Sequence, residues 1–276
     1  MTNIKSTLKD ILQANTTPDV FTWIEEGRPL NSVFMLLPRK TGKAALSITQ
    51  EQSEAINTAI PGFSVDNWTV DHLGRAYLLA KLDSTHKDEY FRKIESLFMA
   101  AEMAEQVALY SSLPLLAHPE LWVKRCAEGI RSNIGIVLEA IMYSNPYPSQ
   151  NLEQAAWNQL VLKAFFTDKD INKIVGIDKL ANKDLAYIIS DYAHERWAAG
   201  RELNPQMWRL VGPFIDDKLF EDIKRLFDNG KLTDHRAGAL AITTSNYAPA
   251  KALLNKYPEL ERAIANNELS WDDIAG

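Results

Sequence analysis

Signals that start an α-helix recur along this chain, whereas patterns that specify β-strands do not. Thr17 precedes Pro18 at a first helical position, and Thr49 stands three residues before Gln52, which is the spacing of a capping box. Asn182 is predicted to cap a later helix. No stretch alternates apolar and polar residues as a half-buried strand does, and there is no Asn-Gly hairpin signal. The sequence therefore predicts an all-α fold.

Helices of about 10–20 residues joined by short linkers favour an antiparallel helical stack. The C-terminal part has the pattern of paired helices in a HEAT-like α-solenoid, in which each pair buries its apolar face on the next. A compact multi-helix bundle is the alternative. We expect one all-helical domain over 1–276, with an N-terminal helical part, 1–112, followed by C-terminal helical repeats, 113–276. The stretch 119–145 forms either one long helix or two shorter ones.

Composition and charge exclude several classes of protein. With 46% hydrophobic residues the chain is not expected to be disordered, and its net charge of −6 does not favour binding to nucleic acid. Its strongest basic cluster, Arg39, Lys40 and Lys43, lacks the glycine spacing of a phosphate loop. We interpret it as a solvated loop, with an anion or membrane-surface contact as the alternative. Cys126 is the single cysteine, so no disulfide forms within the chain, and its helical surroundings predict an inert buried thiol.

The expected location of the chain is the cytoplasm. The N-terminus lacks the continuous apolar core of a signal peptide. No stretch approaches the roughly 18 uninterrupted apolar residues that a membrane-spanning helix needs, so we expect no integral membrane span. Peripheral contact with the inner membrane is an alternative.

The stretch Ser190–Arg201, "SDYAHERWAAGR", concentrates acids, bases and a tryptophan on one predicted helix. On a helical projection Arg196 falls in the middle of the apolar stripe, so it needs a buried carboxylate partner. We predict Glu128 as that partner, with Glu139 as the second candidate. Asp191 and His194 lie on the opposite side, three residues apart, where an Asp can orient a His for acid–base chemistry. The same pair is also common on solvated helix surfaces.

Metal sites are not expected. Asp-x-x-His occurs at Asp191–His194 and at Asp83–His86, but no second carboxylate–His pair completes a di-metal site. Ala198 stands where a zinc-protease motif would need a second His. The acidic run Asp216–Asp222 follows a proline and opens a predicted helix, where carboxylates complement the helix dipole. We therefore predict neither a metal nor a cofactor.

The run "LEQAAWNQLVLKAFF", residues 152–166, is apolar nearly all round and predicts a central buried helix. A buried amide on it, Asn158, must find hydrogen-bond partners. We expect it to pin the "SNPYP" loop, with a polar contact to a ligand as the alternative. Four tryptophans near these motifs are more typical of residues in a hydrophobic core than of a surface on which a ligand stacks. They are Trp122, Trp157, Trp197 and Trp208.

A series of motifs resembles one known family along essentially the whole chain. In order they are "PRKTGK", "LYSSLPLL", "AEGIRSN", "EAIMYSNPYP", "AAWNQLVLKAFF", "GIDKLANKDLA", "SDYAHERWAAGR", "MWRLVGPF" and "LSWDDIAG". This series is similar to that of the EboA family. The resemblance implies an origin in the Ebo gene cluster, which also encodes a UbiA-like prenyltransferase, TIM-barrel proteins and a sugar-isomerase-like protein. It also implies traffic of secondary-metabolite precursors towards the periplasm or cell envelope.

The resemblance transfers no established catalytic residue to this chain. It does single out a candidate surface for a ligand or partner. That surface comprises Glu128, Arg131, Asn133, Asn145, Trp157, Asn158, Lys163, Asp191, His194, Glu195, Arg196 and Arg201.

Two hypotheses about function follow. The first is a non-catalytic helical scaffold or metabolite-handling protein. Its partners would be other Ebo-cluster proteins, including the membrane prenyltransferase-like protein, or a small metabolite. The second is an enzyme that acts on an isoprenoid-like or indolic metabolite with Asp191 and His194 as its acid–base pair. The second requires those side chains to converge beside a cleft.

Overall fold

The computed structural model describes residues 4–229 and 231–274 of the chain. Within these residues the chain forms seventeen α-helices and no β-strand, which confirms the predicted all-α fold. Two isolated bridges, Ala45 with Thr69 and Tyr143 with Ile174, are the β-type pairings found there. No described helix combines the length and apolarity that crossing a bilayer requires.

The helices group into two compact units. Of the described residues, the N-terminal unit contains 4–157 and 173–175, and the C-terminal unit contains 158–172, 176–229 and 231–274. Whether the chain behaves as a single domain, and whether its helices repeat as a solenoid or form a bundle, stay predictions.

Ten helices belong wholly to the N-terminal unit. They are α1 (Ile4–Ala14), α2 (Pro18–Glu25), α3 (Leu30–Thr41), α4 (Gln50–Ala59), α5 (Val70–Ala80), α6 (Lys87–Ala100), α7 (Met103–Ser111), α8 (Val123–Ile130), α9 (Gly135–Met142) and α10 (Tyr147–Asn151). The stretch 119–145 is therefore two α-helices, because the chain leaves helical geometry between Ile130 and Gly135.

The division between the units falls inside α11 (Gln154–Phe166). The C-terminal unit then continues with α12 (Lys183–Ala198), α13 (Trp208–Val211), α14 (Asp217–Asn229), α15 (Leu232–Thr243), α16 (Ala248–Leu254) and α17 (Pro258–Ala265).

Capping follows the sequence signals at three helix starts. The Thr49 hydroxyl accepts from the Gln52 amide at 3.2 Å, and the Gln52 side chain accepts from the Thr49 amide at 3.0 Å. Thr17 and Asn182 also accept backbone amides at the starts of their helices. Each cap satisfies an amide that has no partner within the helix, which is why the helices begin where predicted.

The most buried helix of the N-terminal unit is α5, which packs against α1, α3 and α7. Every residue of α5 is buried except His72, which is half-buried. In the C-terminal unit the central helix is α15, which packs against α13, α14, α16 and α17. Helix α11, predicted to be the central buried helix, exposes Gln154, Gln159 and Phe166. That prediction was wrong, because an apolar sequence does not dictate how many neighbours a helix has.

Candidate functional site

A concave site of the N-terminal unit, lined by aromatic side chains, is a cavity of about 520 Å³ that we call the Trp68 cavity. The loop after α4, the starts of α5 and α9, and the end of α7 form its walls. The lining residues are Phe63, Ser64, Asp66, Asn67, Trp68, His72, Val107, Ser111, Ile136, Glu139, Ala140, Tyr143, Ser144 and Lys173.

Short backbone pairings hold these walls. The Leu46 amide donates to the Trp68 carbonyl at 2.8 Å, and the Val70 amide donates to the Ala44 carbonyl at 3.0 Å. On the other wall, the Ser144 amide donates to the Lys173 carbonyl at 2.9 Å. Both pairings join segments distant in sequence, so the cavity is built by tertiary structure and not by one motif.

A flat aromatic platform lies in the cavity wall. The Trp68 indole and the His72 imidazole stack with centroids 3.8 Å apart and planes 5° apart, and Phe63 meets Trp68 edge-on at 5.9 Å. Trp68 stands two residues before α5 and His72 lies in the first turn of α5, so the chain entering the helix brings the two rings together. Stacked and edge-to-face rings of this kind give a rigid apolar surface with a polar edge.

His72 also contacts Ser111, with Nε2 and Oγ 2.6 Å apart. The single hydroxyl hydrogen of Ser111 is directed to the helix carbonyls of Val107 at 2.8 Å and Ala108 at 3.2 Å. The Ser111 oxygen therefore accepts, and His72 Nε2–H donates. Burial lowers the pKa of His72 to about 3, the nearby Arg75 adding to the effect and Asp71 opposing it. A neutral, donating imidazole cannot act as the base that would activate Ser111.

This depressed pKa predicts that acid destabilises the fold. In the unfolded chain His72 has its ordinary pKa near 6.5 and binds a proton below that pH. In the folded protein the His72 imidazole stays unprotonated down to about pH 3. The contribution of neutral His72 to the free energy of unfolding is complete above about pH 6.5. It is lost as pH falls below that value, by up to about 1.4 kcal/mol per pH unit. Urea unfolding across this range should show a shallower pH slope for His72→Gln than for wild type.

The matched control is His86→Gln, because His86 is exposed. This variant should keep the wild-type slope. Parallel slopes for wild type and His72→Gln would contradict the assignment.

Charged groups of both signs complete the Trp68 cavity. Asp66 and Glu139 bring carboxylates, and Lys173 brings an ammonium 5.3 Å from the centroid of the Tyr143 ring. Val107 and Ile136 add apolar surface, and Ile136 is 48% exposed. The arrangement suits a molecule with a flat apolar part and a polar group.

None of the twelve residues predicted as a functional surface lines the Trp68 cavity. The sequence carried one local signal for it, the aromatic pair Trp68 and His72 at helical spacing. Ser111, Glu139 and Lys173 carry no signal, because only the fold places them beside that pair. Glu139 was considered, but as a partner of Arg196.

The predicted inward position of Arg196 was wrong. Its side chain is half-buried, and Nε and Nη2 donate to the Glu202 carbonyl at 3.0 and 2.6 Å. Glu128, the predicted partner, accepts from Arg125 at 3.1 Å. The loop that follows α12 supplies a carbonyl closer at hand than any carboxylate. Among the residues that the structure describes, the buried arginine is instead Arg75, which pairs with Asp71 at 2.7 Å.

The predicted pairing of Asp191 with His194 was also wrong. His194 Nε2 lies 2.5 Å from Oδ1 of the buried Asp222, whose Oδ2 accepts from the Ser190 hydroxyl at 2.6 Å. Asp191 is exposed and lies 3.6 Å from the Lys218 ammonium. Because α14 packs on α12, a tertiary carboxylate displaces the neighbour on the same helix. Asp191 and His194 are both exposed, and they line neither the Trp68 cavity nor the cavity that Arg196 lines.

Arg196 and Arg201 share a different cavity of about 560 Å³ in the C-terminal unit. Trp197 lies in its wall, and the ion pair of Lys231 with Glu202 closes one side. Glu195 is exposed on the same helix. This cavity has balanced charge among its lining side chains, and its aromatic lining is Trp197, which stacks with His194 at 5.7 Å and with Trp208 at 5.8 Å.

Asn158 does not hold the "SNPYP" loop as predicted. It exchanges amide hydrogen bonds with Asn182, 2.9 and 3.3 Å long, and so joins α11 to the cap of α12. Asn145 holds the loop itself, since it donates to the Tyr110 and Ala140 carbonyls and accepts from the Tyr147 amide. Lys163 is half-buried on α11.

The remaining predicted residues lie in the N-terminal unit. Arg131 and Asn133 are exposed between α8 and α9, and Trp157 is buried. Burial raises the pKa of Cys126 to about 12, as expected of an inert thiol. The role of all twelve residues as a functional surface stays a prediction. No cluster of three or more metal-ligating His, Cys, Asp or Glu side chains occurs in the described part of the chain.

Comparison with known proteins links the chain to one family. The sequence profile described as "Metabolite traffic protein EboA" matches residues 4–212. Neither the curated proteins nor the solved structures gave a significant match. The matched region contains the Trp68 cavity and covers most of the chain. The chain therefore belongs to the EboA family.

Proposed function

We propose that this chain is a non-catalytic metabolite-handling protein and that the Trp68 cavity is its binding site. The observation that carries the proposal is the stacked Trp68–His72 platform in the wall of a 520 Å³ cavity. Small-molecule sites are typically concave, a few hundred Å³ in size, mostly apolar, and supplied with a few polar groups. The family's description as a metabolite traffic protein supports the same conclusion.

The lining favours a planar ligand over a long flexible one. A flat ring can stack on an outer face of the Trp68–His72 pair, and its polar substituent can reach Glu139, Asp66 or Lys173. We therefore propose an indolic ligand and keep an isoprenoid-like ligand as the alternative, since Val107 and Ile136 offer it less apolar surface.

Indole and geraniol serve as probes, each titrated calorimetrically into the full chain. We expect indole to bind, and Trp68→Ala to weaken its binding at least about tenfold by removing the stacking surface. The control is Trp271→Ala, which removes a half-buried indole of the C-terminal unit and should leave the affinity unchanged. Equal affinities for wild type and Trp68→Ala would place the site elsewhere. Binding of geraniol alone would select the isoprenoid class.

The wider role we propose is assistance in the traffic of secondary-metabolite precursors towards the periplasm or cell envelope. The partners would be other Ebo-cluster proteins, including the membrane prenyltransferase-like protein, met from the cytoplasmic side. The motif resemblance and the family description support this role. Catalysis by Asp191 and His194 is disfavoured, because each side chain pairs with another partner and neither lines the Trp68 cavity.

A further inference from the structure

In one stretch of this acidic chain, every charged residue is basic. Residues 27–50 contain Arg28, Arg39, Lys40 and Lys43 and no Asp or Glu, although the net charge of the chain is −6. Arg28 pairs with Glu26 just before the stretch. Arg39, Lys40 and Lys43 form no ion pair within the part of the chain that the structure describes. Three exposed cations thus lie within five residues of one another in the sequence and form no ion pair with a described residue.

Apolar side chains are exposed beside these cations. Met35, one helical turn before Arg39 on α3, is 61% exposed. Together with Arg39 and Lys43 it lines a cavity of about 460 Å³ whose wall includes the apolar Phe34 and Leu97. Exposed methionines are adaptable contact residues, and clustered ones mark interaction surfaces.

The opposite wall of this cavity adds apolar and charged side chains. Ala100 and Ala104 line it, and they are flanked in sequence by Met99 and Met103, which are 77% and 53% exposed. Glu102 and Glu105 also line it, and the Glu105 carboxylate accepts the Glu102 amide at the start of α7. The carboxylates therefore belong to the α7 side, and the unpaired cations belong to the α3 side.

An interfacial aromatic residue adjoins the cations. The Lys40 ammonium lies 5.4 Å and the Arg28 guanidinium 6.0 Å from the ring of Trp23, which is half-buried at the end of α2. Tryptophan beside Lys and Arg is typical of side chains at the level of lipid headgroups.

We propose that the exposed end of α3, with Met35, Arg39, Lys40 and Lys43 and with Trp23 beside Lys40, docks on an anionic bilayer surface. The cations meet lipid phosphates, and Met35 enters the boundary between headgroups and acyl chains. The unpaired positive charges of the α3 side favour an anionic surface, and a bilayer supplies one whose mobile headgroups can gather at these cations and away from Glu102 and Glu105 on the α7 side. The inference is independent of the ligand proposed for the Trp68 cavity.

Cosedimentation of the full chain with lipid vesicles tests the proposal. The vesicles contain phosphatidylcholine alone or mixed with phosphatidylglycerol. We expect binding to the mixed vesicles only, and weaker binding at high salt. The double substitution Arg39→Glu, Lys43→Glu should lower the partition coefficient at least about thirtyfold, and Met35→Ser should lower it less.

The matched control is Lys251→Glu, Lys256→Glu, which makes the same charge change on exposed lysines of the C-terminal unit. This control should still bind. Circular dichroism checks that each variant is folded, as expected for exposed positions. Equal loss in both double variants, equal binding to both kinds of vesicle, or no binding at low salt would each overturn the proposal. Full displacement by millimolar glycerol phosphate would also overturn it, because it would indicate a site for soluble phosphate.

Discussion

Replacing Arg75 by Met should lower the free energy of unfolding by about 3–5 kcal/mol, because the substitution leaves a buried carboxylate without its cation. Arg75 is 3% exposed, and its Nη1 lies 2.7 Å from Asp71 Oδ2. Nε also donates to the Phe34 carbonyl at 2.9 Å, which ties α5 to α3. Urea unfolding measured near neutral pH gives the change directly.

Two further variants isolate the cause. Arg28→Met removes an arginine from an exposed pair with Glu26 and should cost less than about 1 kcal/mol. Adding Asp71→Asn to Arg75→Met should restore part of the lost stability, because the neutral amide no longer leaves a buried charge unpaired. The amide oxygen can still accept from the Thr69 hydroxyl, which in the wild type donates to Asp71 at 2.6 Å. If Arg75→Met costs no more than Arg28→Met, the pair is not a structural element of the N-terminal unit.

Trp122→Ala should cost about 3–5 kcal/mol, since it empties a fully buried ring position. The Trp122 ring stacks on Phe91 at 5.5 Å and meets Tyr90 edge-on at 6.0 Å. Its Nε1 donates to the Ala117 carbonyl at 2.9 Å, which holds the connection between α7 and α8. Thermal and urea unfolding should agree on the size of the loss.

Trp122→Phe separates the ring from the hydrogen bond. It keeps most of the packing and leaves the Ala117 carbonyl without this donor, so we expect a loss clearly smaller than that of Trp122→Ala. The half-buried Trp68→Ala provides the comparison and should remain folded, as its use in ligand titrations requires. A loss for Trp122→Ala no larger than that for Trp68→Ala would show that this ring is not part of the core.

The choice of buried arginine shows where reasoning from sequence fails. Helical projection places Arg196 on an apolar stripe, but its guanidinium reaches the Glu202 carbonyl and stays half-buried. Arg75 stands in a helix that looks no more apolar than others, yet neighbours cover α5 along its length. Periodicity reports which face of a helix is apolar, whereas burial depends on how many elements surround it.

The sequence alone determined the all-α class, the caps formed by Thr17, Thr49 and Asn182, and the family. Caps and helices depend on contacts within about four residues, so the order of residues is enough to specify them. Only the tertiary structure decided that Asp222 and not Asp191 binds His194, and that Ser111, Glu139 and Lys173 join Trp68 in one cavity. Those contacts join side chains far apart in the chain, and packing between helices sets them.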